Sequence, residues 1–206
     1  KEVRNPSCAV RCDERHSPTP GAYLLPSPGL DGETAGWLRC RLSHGRSPSL
    51  LDWNGLVILE TPRLVLRTWR ADDLPAFAEL NADPEVMRYL GGTALSREES
   101  DSIAEWGQER YAEEGIGLLA VERRQDGVFL GMCGLHHQWS YPDDVEVAWR
   151  FARRQWGYGY ATEAATGWLD HGFLALGLPR VISITEWDNE RSLAVMHRLG
   201  MTFDHE

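Results

Sequence analysis

"RRQWGYGYATEA", Arg153 to Ala164, decides how this 206-residue chain is read. It sets two glycines one residue apart between a strand-like run, "DDVEVAWRF" (143–151), and a helical pattern. That pattern, Ala161, Ala164, Ala165, Trp168, Leu169 and Phe173, closes at Gly177 and Pro179. Gly157 and Gly159 accept backbone angles that other residues resist, and they put no Cβ between the main chain and a ligand. Because a helix follows at once, the free NH groups of its first turn face outward with the positive end of the helix dipole behind them. An anion fits there. Charge-assisted hydrogen bonds contribute roughly 1.5 to 3 kcal/mol each, against about 0 to 1 for a surface ion pair. The amides therefore outweigh the neighbouring Arg150, Arg153 and Arg154, which steer and trim. A bare Gly-x-Gly also occurs where a helix start merely packs tightly on a sheet, so the rest of the chain has to choose.

A dinucleotide fingerprint would need a third glycine, where Thr162 stands, and a parallel strand-helix-strand unit opening the domain. Neither is present. Lys1 is the only lysine, which removes phosphate loops of the Gly-Lys-Ser/Thr kind and pyridoxal Schiff bases beyond residue 1. The formal charge is -10 and is uneven: residues 1–54 carry seven basic and six acidic side chains, the remainder fourteen and twenty-five. Such a body does not track a polyanionic duplex by counterion release, so no nucleic-acid partner is expected, whereas an amine-bearing partner is accommodated. No apolar run of membrane-spanning length and no leader pattern is found, so no membrane partner is expected and the body reads as cytoplasmic. At 42% hydrophobic residues, the length suits one domain with a real core.

Residues 1–55 are dense in Pro, Gly and Ser and hold neither the 3.6 nor the 2 period long enough to make an element. They read as a disordered or non-native segment, with the native start near Leu56 or Val57 and the domain spanning 56–206. Cys8, Cys12, His16, Cys40 and His44 resemble a zinc site only loosely, because the first pair is spaced one residue longer than the commonest form; no metal is expected.

From "LVILETPRLVLRTW" onward the signals become regular. A strand over 64–69 enters a helix in "ADDLPAFAELNADPEVMRYL", capped by Asp72 or Asp73. Ser96 and Glu99 form a capping box before a second helix that ends near Gly115. "IGLLAVERR" and "GVFLGMCGLHHQW" are strands joined through Asp126-Gly127, and "DDVEVAWRF" continues the meander, with Val145, Val147, Trp149 and Phe151 on one face and Glu146, Ala148 and Arg150 on the other. After the glycine turn and its helix come the strand "RVISITEW", a helix capped by Asn189 with Leu193, Met196 and Leu199 inward, and the start of another strand in "MTFDHE".

Arg154-Gln155-Trp156-Gly157-Tyr158-Gly159 matches the Arg/Gln-x-x-Gly-x-Gly/Ala signature of the GNAT superfamily of acyl-CoA-dependent N-acetyltransferases. "TPRLVLR", "DPEVMRYL", "VEVAWRF", "WGYGYATEA" and "DNERSLAVMHRLGM" fall in the order of its RimJ/RimL-like branch, which includes acetyltransferases of ribosomal-protein N-terminal alanines. This resemblance covers Leu56 to the end. It implies an α+β fold: a mixed, mostly antiparallel sheet with helices on both faces, splayed between its fourth and fifth strands, here 144–152 and 180–187, with the last strand missing from this sequence. It implies acetyl-CoA as cosubstrate, its diphosphate on the amides of Gly157, Tyr158, Gly159, Tyr160 and Ala161 beside Arg154. The pantetheine arm would run along main-chain groups of Trp149 to Phe151, held by Asn189.

Acetyl transfer needs a deprotonated amine, donors for an oxyanion and an acid for the departing thiolate. Glu146 is the first candidate base; its bland alternative is a surface carboxylate paired with an arginine. Glu163 is a weaker one, expected to support the first helical turn. The resemblance makes Ser192 the acid, on one helix face with Asn189, and a backbone NH near Phe151 the oxyanion donor. His136 and His137 mark where an acceptor enters. Cys133 reads as a small buried residue and not a nucleophile. The acceptor is a small-molecule or protein N-terminal amine, and the protein a monomer or homodimer. The competing reading is an acyl-CoA-binding module without catalysis.

Overall fold

In the computed structural model, which describes residues 21–26, 53–138 and 141–203, the strand-like runs join one sheet. Its strands are β1 (Gly21–Pro26), β2 (Val57–Glu60), β3 (Leu64–Arg67), β4 (Leu118–Arg123), β5 (Phe129–Gln138), β6 (Tyr141–Phe151), β7 (Arg180–Thr185) and β8 (Thr202–Phe203). They lie in the order β2-β3-β4-β5-β6-β7-β1-β8. All neighbours are antiparallel except β6 and β7, which run parallel and pair at the single position Glu146↔Ile182. Beyond that rung the two strands diverge. The expected splay is therefore present, and the mixed, mostly antiparallel architecture is borne out.

The helices follow local rules. α1 (Leu74–Ala82) enters through a 3-10 turn at Ala71–Asp73, and α2 (Pro84–Met87) is a separate turn. The continuous helix expected over this stretch breaks at Asp83-Pro84: proline disfavours helical angles at Asp83, which turns extended and caps α2 through Glu85 N. Asp73 does not cap α1 by its side chain. It forms two bonds to the buried Arg67, at 2.7 and 2.8 Å, and a third Arg67 bond goes to Glu122 at 2.9 Å. α3 (Arg97–Glu114) carries the Ser96/Glu99 capping box and ends at Gly115 with φ of 75°. α4 (Tyr160–Asp170) runs into a π-helical turn at His171–Ala175, and α5 (Glu190–Arg198) is capped by Asn189.

The two faces of β6 can be told apart. A Cβ on Gly172, in the turn after α4, would touch Leu135 of β5 at 3.1 Å, and Leu135 pairs with Val147. Residues 145, 147, 149 and 151 thus face the α4 layer. On the other face Arg150 Nη1 donates to Asn81 Oδ1 of α1 at 2.6 Å, and Trp106 of α3 meets His136, which pairs with Glu146, ring edge to face at 5.7 Å. Glu146, Ala148 and Arg150 therefore belong to the α1/α3 layer. Trp69, Phe77 and Phe129 nest with centroids 4.7 to 6.3 Å apart in the core, where each such ring contributes roughly 1.5 to 3 kcal/mol by burial.

The stretch 1–55, read as holding no element, supplies β1. Gly21–Pro26 pairs with Arg180–Thr185 of β7 along its whole length, and Tyr23 and Leu24 pair with Phe203 and Thr202 of β8. A six-residue ladder needs only compatible backbone, which a short-window search for hydrophobic periodicity does not register. The cysteines and histidines of the loosely zinc-like spacing lie outside the described residues.

Candidate active site

A cavity of about 810 Å³, within the range of small-molecule sites, opens where β6 and β7 part. Its walls are Trp149–Phe151 of β6, Gln155–Glu163 of the glycine turn and α4, Asn189 to Arg198 of α5, and Glu85 to Leu90 of α2 and the turn after it. The glycines sit where the motif placed them. Gly157 has φ of 83°, and a Cβ there would meet nothing within 4 Å. Gly159 has φ of 79°, caps α4 without a side-chain acceptor, and its Cβ would meet only Arg63 Nη2, at 3.6 Å. Tight packing on protein does not explain these residues. They provide left-handed backbone and leave free space before a helix N-terminus.

Around this turn Tyr158 is 61% exposed and stacks on Tyr160 at 5.7 Å. Arg63 holds the turn from outside: its guanidinium lies 4.8 Å from the Tyr160 ring centroid, and Nη1 donates to the Tyr158 carbonyl at 3.0 Å. Glu163 accepts bonds from Thr61 Oγ1, Arg63 N and Arg63 Nε at 2.6 to 2.8 Å. Burial pushes its carboxyl up, but these donors outweigh it and hold the group below the usual carboxylate range. Glu163, in the first turn of α4, is thus spent on tying that turn to the β2–β3 turn, which leaves it in a supporting role and not that of a base.

Main-chain groups of Trp149 and Phe151 face the gap. Ala152 N donates to Leu130 O across the β5–β6 ladder, and alternation turns the amides and carbonyls of residues 149 and 151 toward β7. Trp156 Nε1 takes the Phe151 carbonyl at 2.9 Å, and Arg191 of α5 covers the Trp156 ring at 4.5 Å. Across the gap Asn189 Oδ1 accepts from Ser192 N at 3.3 Å, while its Nδ2 donates to Thr185 Oγ1 at 3.0 Å and Ser192 Oγ at 3.1 Å. Asn189 is a helix cap and also the residue that aims the Ser192 hydroxyl. Arg154 is not on this wall; it borders a second hollow with Arg153, Glu79 and Asp83. On the glycine-turn and helix walls of the cavity the cations are Arg63, Arg88, Arg191 and Arg198, against the carboxylates Glu85 and Glu163, while Arg150 reaches the cavity from the α1/α3 face of β6. In a chain of net charge -10 this is a basic wall, suited to an anionic ligand.

Glu146 stands at the apex of the splay, on the α1/α3 face, 7% exposed. Oε1 accepts from Ile184 N at 3.1 Å, closing the gap between strands, and Oε2 lies 3.4 Å from His136 Nε2. It is not the arginine-paired surface carboxylate of the bland reading. Burial pushes its pKa up to about 7 against the pull of the Ile184 amide. Burial likewise lowers His136, whose Nδ1 lies 3.0 Å from the His137 carbonyl. Cys133 is fully buried and its thiol is pushed far up by burial, so it is no nucleophile. Among the described residues no cluster of three or more His, Cys, Asp or Glu could hold a metal, and no helix is long and apolar enough to cross a membrane.

Sequence reasoning missed Arg63, Arg88, Arg191 and Tyr89. Arg191 had a signal, standing two residues beyond the Asn189 cap; Arg63 had none, since its partners lie about a hundred residues away.

An open glycine turn at a helix start, a basic wall and a parted strand pair define a transferase of the acyl-CoA-dependent class. The acetyltransferase (GNAT) domain matches residues 63–202, and the chain belongs to that family. It is 34% identical over 152 residues to the Bacillus subtilis protein YkkB (73% of this chain, 88% of that one). It is 30% identical over 144 residues to the B. subtilis N-acetyltransferase YoaA (69% and 81%). The acetyltransferase structure from Agrobacterium tumefaciens superposes with a TM-score of 0.65 at 28% identity, covering 78% of this chain and 90% of that one. The protein is an N-acetyltransferase that uses acetyl-CoA, and the non-catalytic alternative is set aside.

Proposed function

We propose that this enzyme moves the acetyl group of acetyl-CoA to a primary amine, on a small molecule or a protein N-terminus, by direct attack with Glu146 as base and Ser192 as acid. The observation that carries the reading is the open turn at Gly157 and Gly159, which points helix amides into a cation-lined cavity beside the β6–β7 gap. Bound acetyl-CoA supplies an activated thioester carbonyl. The amides from Gly157 to Ala161 hold its diphosphate, and main-chain groups of Trp149 and Phe151 fix the arm in the gap. Glu146 takes one proton from the incoming ammonium. The freed amine forms a bond to the carbonyl carbon, the Phe151 amide holds the oxyanion, and the carbon–sulfur bond breaks. The Ser192 hydroxyl, which accepts from Asn189 and so keeps its own hydrogen free, protonates the departing thiolate and is restored by the second proton lost from the acylated nitrogen, which leaves a neutral amide, free thiol and one proton on Glu146.

We read residues 56–206, with β1 completing their sheet, as the catalytic domain, acting in the cytoplasm as a monomer or homodimer. The test is acetyl-CoA binding by calorimetry, followed by amine-dependent release of free thiol across peptides with free N-termini, amino acids and polyamines. Binding without release under every acceptor would sink the catalytic assignment of Glu146 and Ser192.

A further inference from the structure

Arg150 lies on the same strand face as Glu146, two pleats further along, with only the small Ala148 between them. It lines the cavity, and its guanidinium reaches the last turn of α1, next to the α2 wall. There Nη1 donates to Asn81 Oδ1 at 2.6 Å, Nε is buried without a partner, and among the described residues no carboxylate forms an ion pair with it. Asn81 is fully buried, neutral and fixed by its own bond to Ser100 Oγ at 2.8 Å. Arg150 is half-buried, and burial lowers its pKa to about 10. A cation taken out of water without a counter-charge is destabilising, and this chain has carboxylates in plenty that serve other arginines.

We infer that Arg150 binds an anionic group of the acceptor, and that the preferred acceptors are amines carrying a carboxylate several bonds from the nitrogen. This rests on the proposed function, which leads the ammonium to Glu146 and places the cofactor's phosphates on the α4 side of the sheet. Arg150 is on the other side. Four residues of strand separate the two side chains by about 13 Å at their backbones. Both side chains stand off the same face, so this span persists at their tips, and after two hydrogen bonds of about 3 Å each the remaining ~7 Å suits a dipeptide-sized amine better than a free α-amino acid.

The test uses the full chain loaded with CoA, titrated calorimetrically with alanyl-aspartate amide and with alanyl-asparagine amide, equal in shape and in its ammonium but with a neutral side chain. The acidic peptide is expected to bind at least about tenfold more tightly to the wild type. Arg150→Met should bring the ratio to about one while acetyl-CoA affinity stays within about twofold. Equal binding of the two peptides to the wild type overturns the inference. So does an Arg150→Met protein that loses acetyl-CoA affinity and keeps the peptide ratio, which would assign the charge to the cofactor. Should Arg150→Met not fold, Arg150→Gln, which stays polar and loses the charge, decides: the ratio falls to about one if the cation is the contact, and an unchanged ratio overturns it. Thiol release is measured separately, so acid selectivity without turnover counts against the transfer mechanism and not against Arg150.

Discussion

The imidazole of His136 stands between two acceptors: Nε2 lies 3.4 Å from Glu146 Oε2, and Nδ1 lies 3.0 Å from the His137 carbonyl. A neutral imidazole has one N–H and serves only one of them. Burial holds the imidazole below its ordinary value and raises the Glu146 carboxyl, so Glu146 is the member of the pair that takes a proton up. Nearby, Asp144 pairs with Arg180 and Glu114 with Arg110.

Glu146 sets a pH dependence of activity and stability. Its carboxyl is raised from 4.5 to about 7, so the carboxylate form that the proposed base role requires is gained as pH rises through that value, and kcat/KM should climb with it. For stability the sign is opposite. The folded protein holds this proton more tightly than the unfolded chain, so its contribution is complete below the unfolded value and is lost as pH rises toward 7 and beyond. Glu146→Gln should lower kcat by about 100-fold or more. In urea titrations its stability relative to wild type should improve by up to ~3 kcal/mol between about pH 5 and pH 8. A flat difference across that range would remove the buried carboxyl as its source.

Ser192→Ala should lower kcat about tenfold to a hundredfold with acetyl-CoA affinity within about twofold, because the proposed role of the hydroxyl is on the leaving group and not on binding. Asn189→Ala removes both the cap and the bond that orients Ser192, and should cost about 1 kcal/mol of stability in addition to the kinetic defect. Rapid-quench and denaturation measurements on both variants check this; a Ser192→Ala enzyme with wild-type kcat would leave the thiolate to water.

Gly157→Ala tests the cradle. No protein atom opposes the new methyl, so the stability loss should be confined to the left-handed backbone angle, about 1 to 2 kcal/mol. Acetyl-CoA affinity should fall by much more than melting does, since the methyl enters the ligand's space. A variant that loses stability and keeps its affinity would show that the space in front of Gly157 is not where the ligand sits.

β1 makes the N-terminal segment part of the sheet, and its removal has a cost. Deleting residues 1–26, or replacing Tyr23 with proline, breaks the ladders to β7 and β8. Both changes should lower the melting temperature and leave the β7 edge open to association, read by light scattering. Unchanged melting in both variants would return the segment to the dispensable tail suggested by its composition.

Much of this was legible from short windows. Ser96 with Glu99, Asp126-Gly127 and Asn189 each mark an element boundary by a local mechanism, and the structure uses all three as such. The turn at Gly157 and Gly159 was legible because left-handed backbone before a helix is a local requirement. Asp83-Pro84 was a break written in the sequence and overlooked because hydrophobic spacing continued across it. What stayed illegible depends on distant partners. Glu163 looks like a helix-start carboxylate until Arg63 arrives from another strand turn, and Arg154, next to the glycines in sequence, lies along a different hollow. The isolation of Arg150 is a property of its surroundings, which no motif records.

A single parallel rung at Glu146 and Ile182 is the last main-chain tie between β6 and β7 before they part. Mechanically the molecule is two plates riveted at one point, with the gap below the rivet left for something else to bridge. An acyl carrier lying in that gap acts as mortar, so loading it should slow amide hydrogen exchange in both plates at once, including strands it never touches.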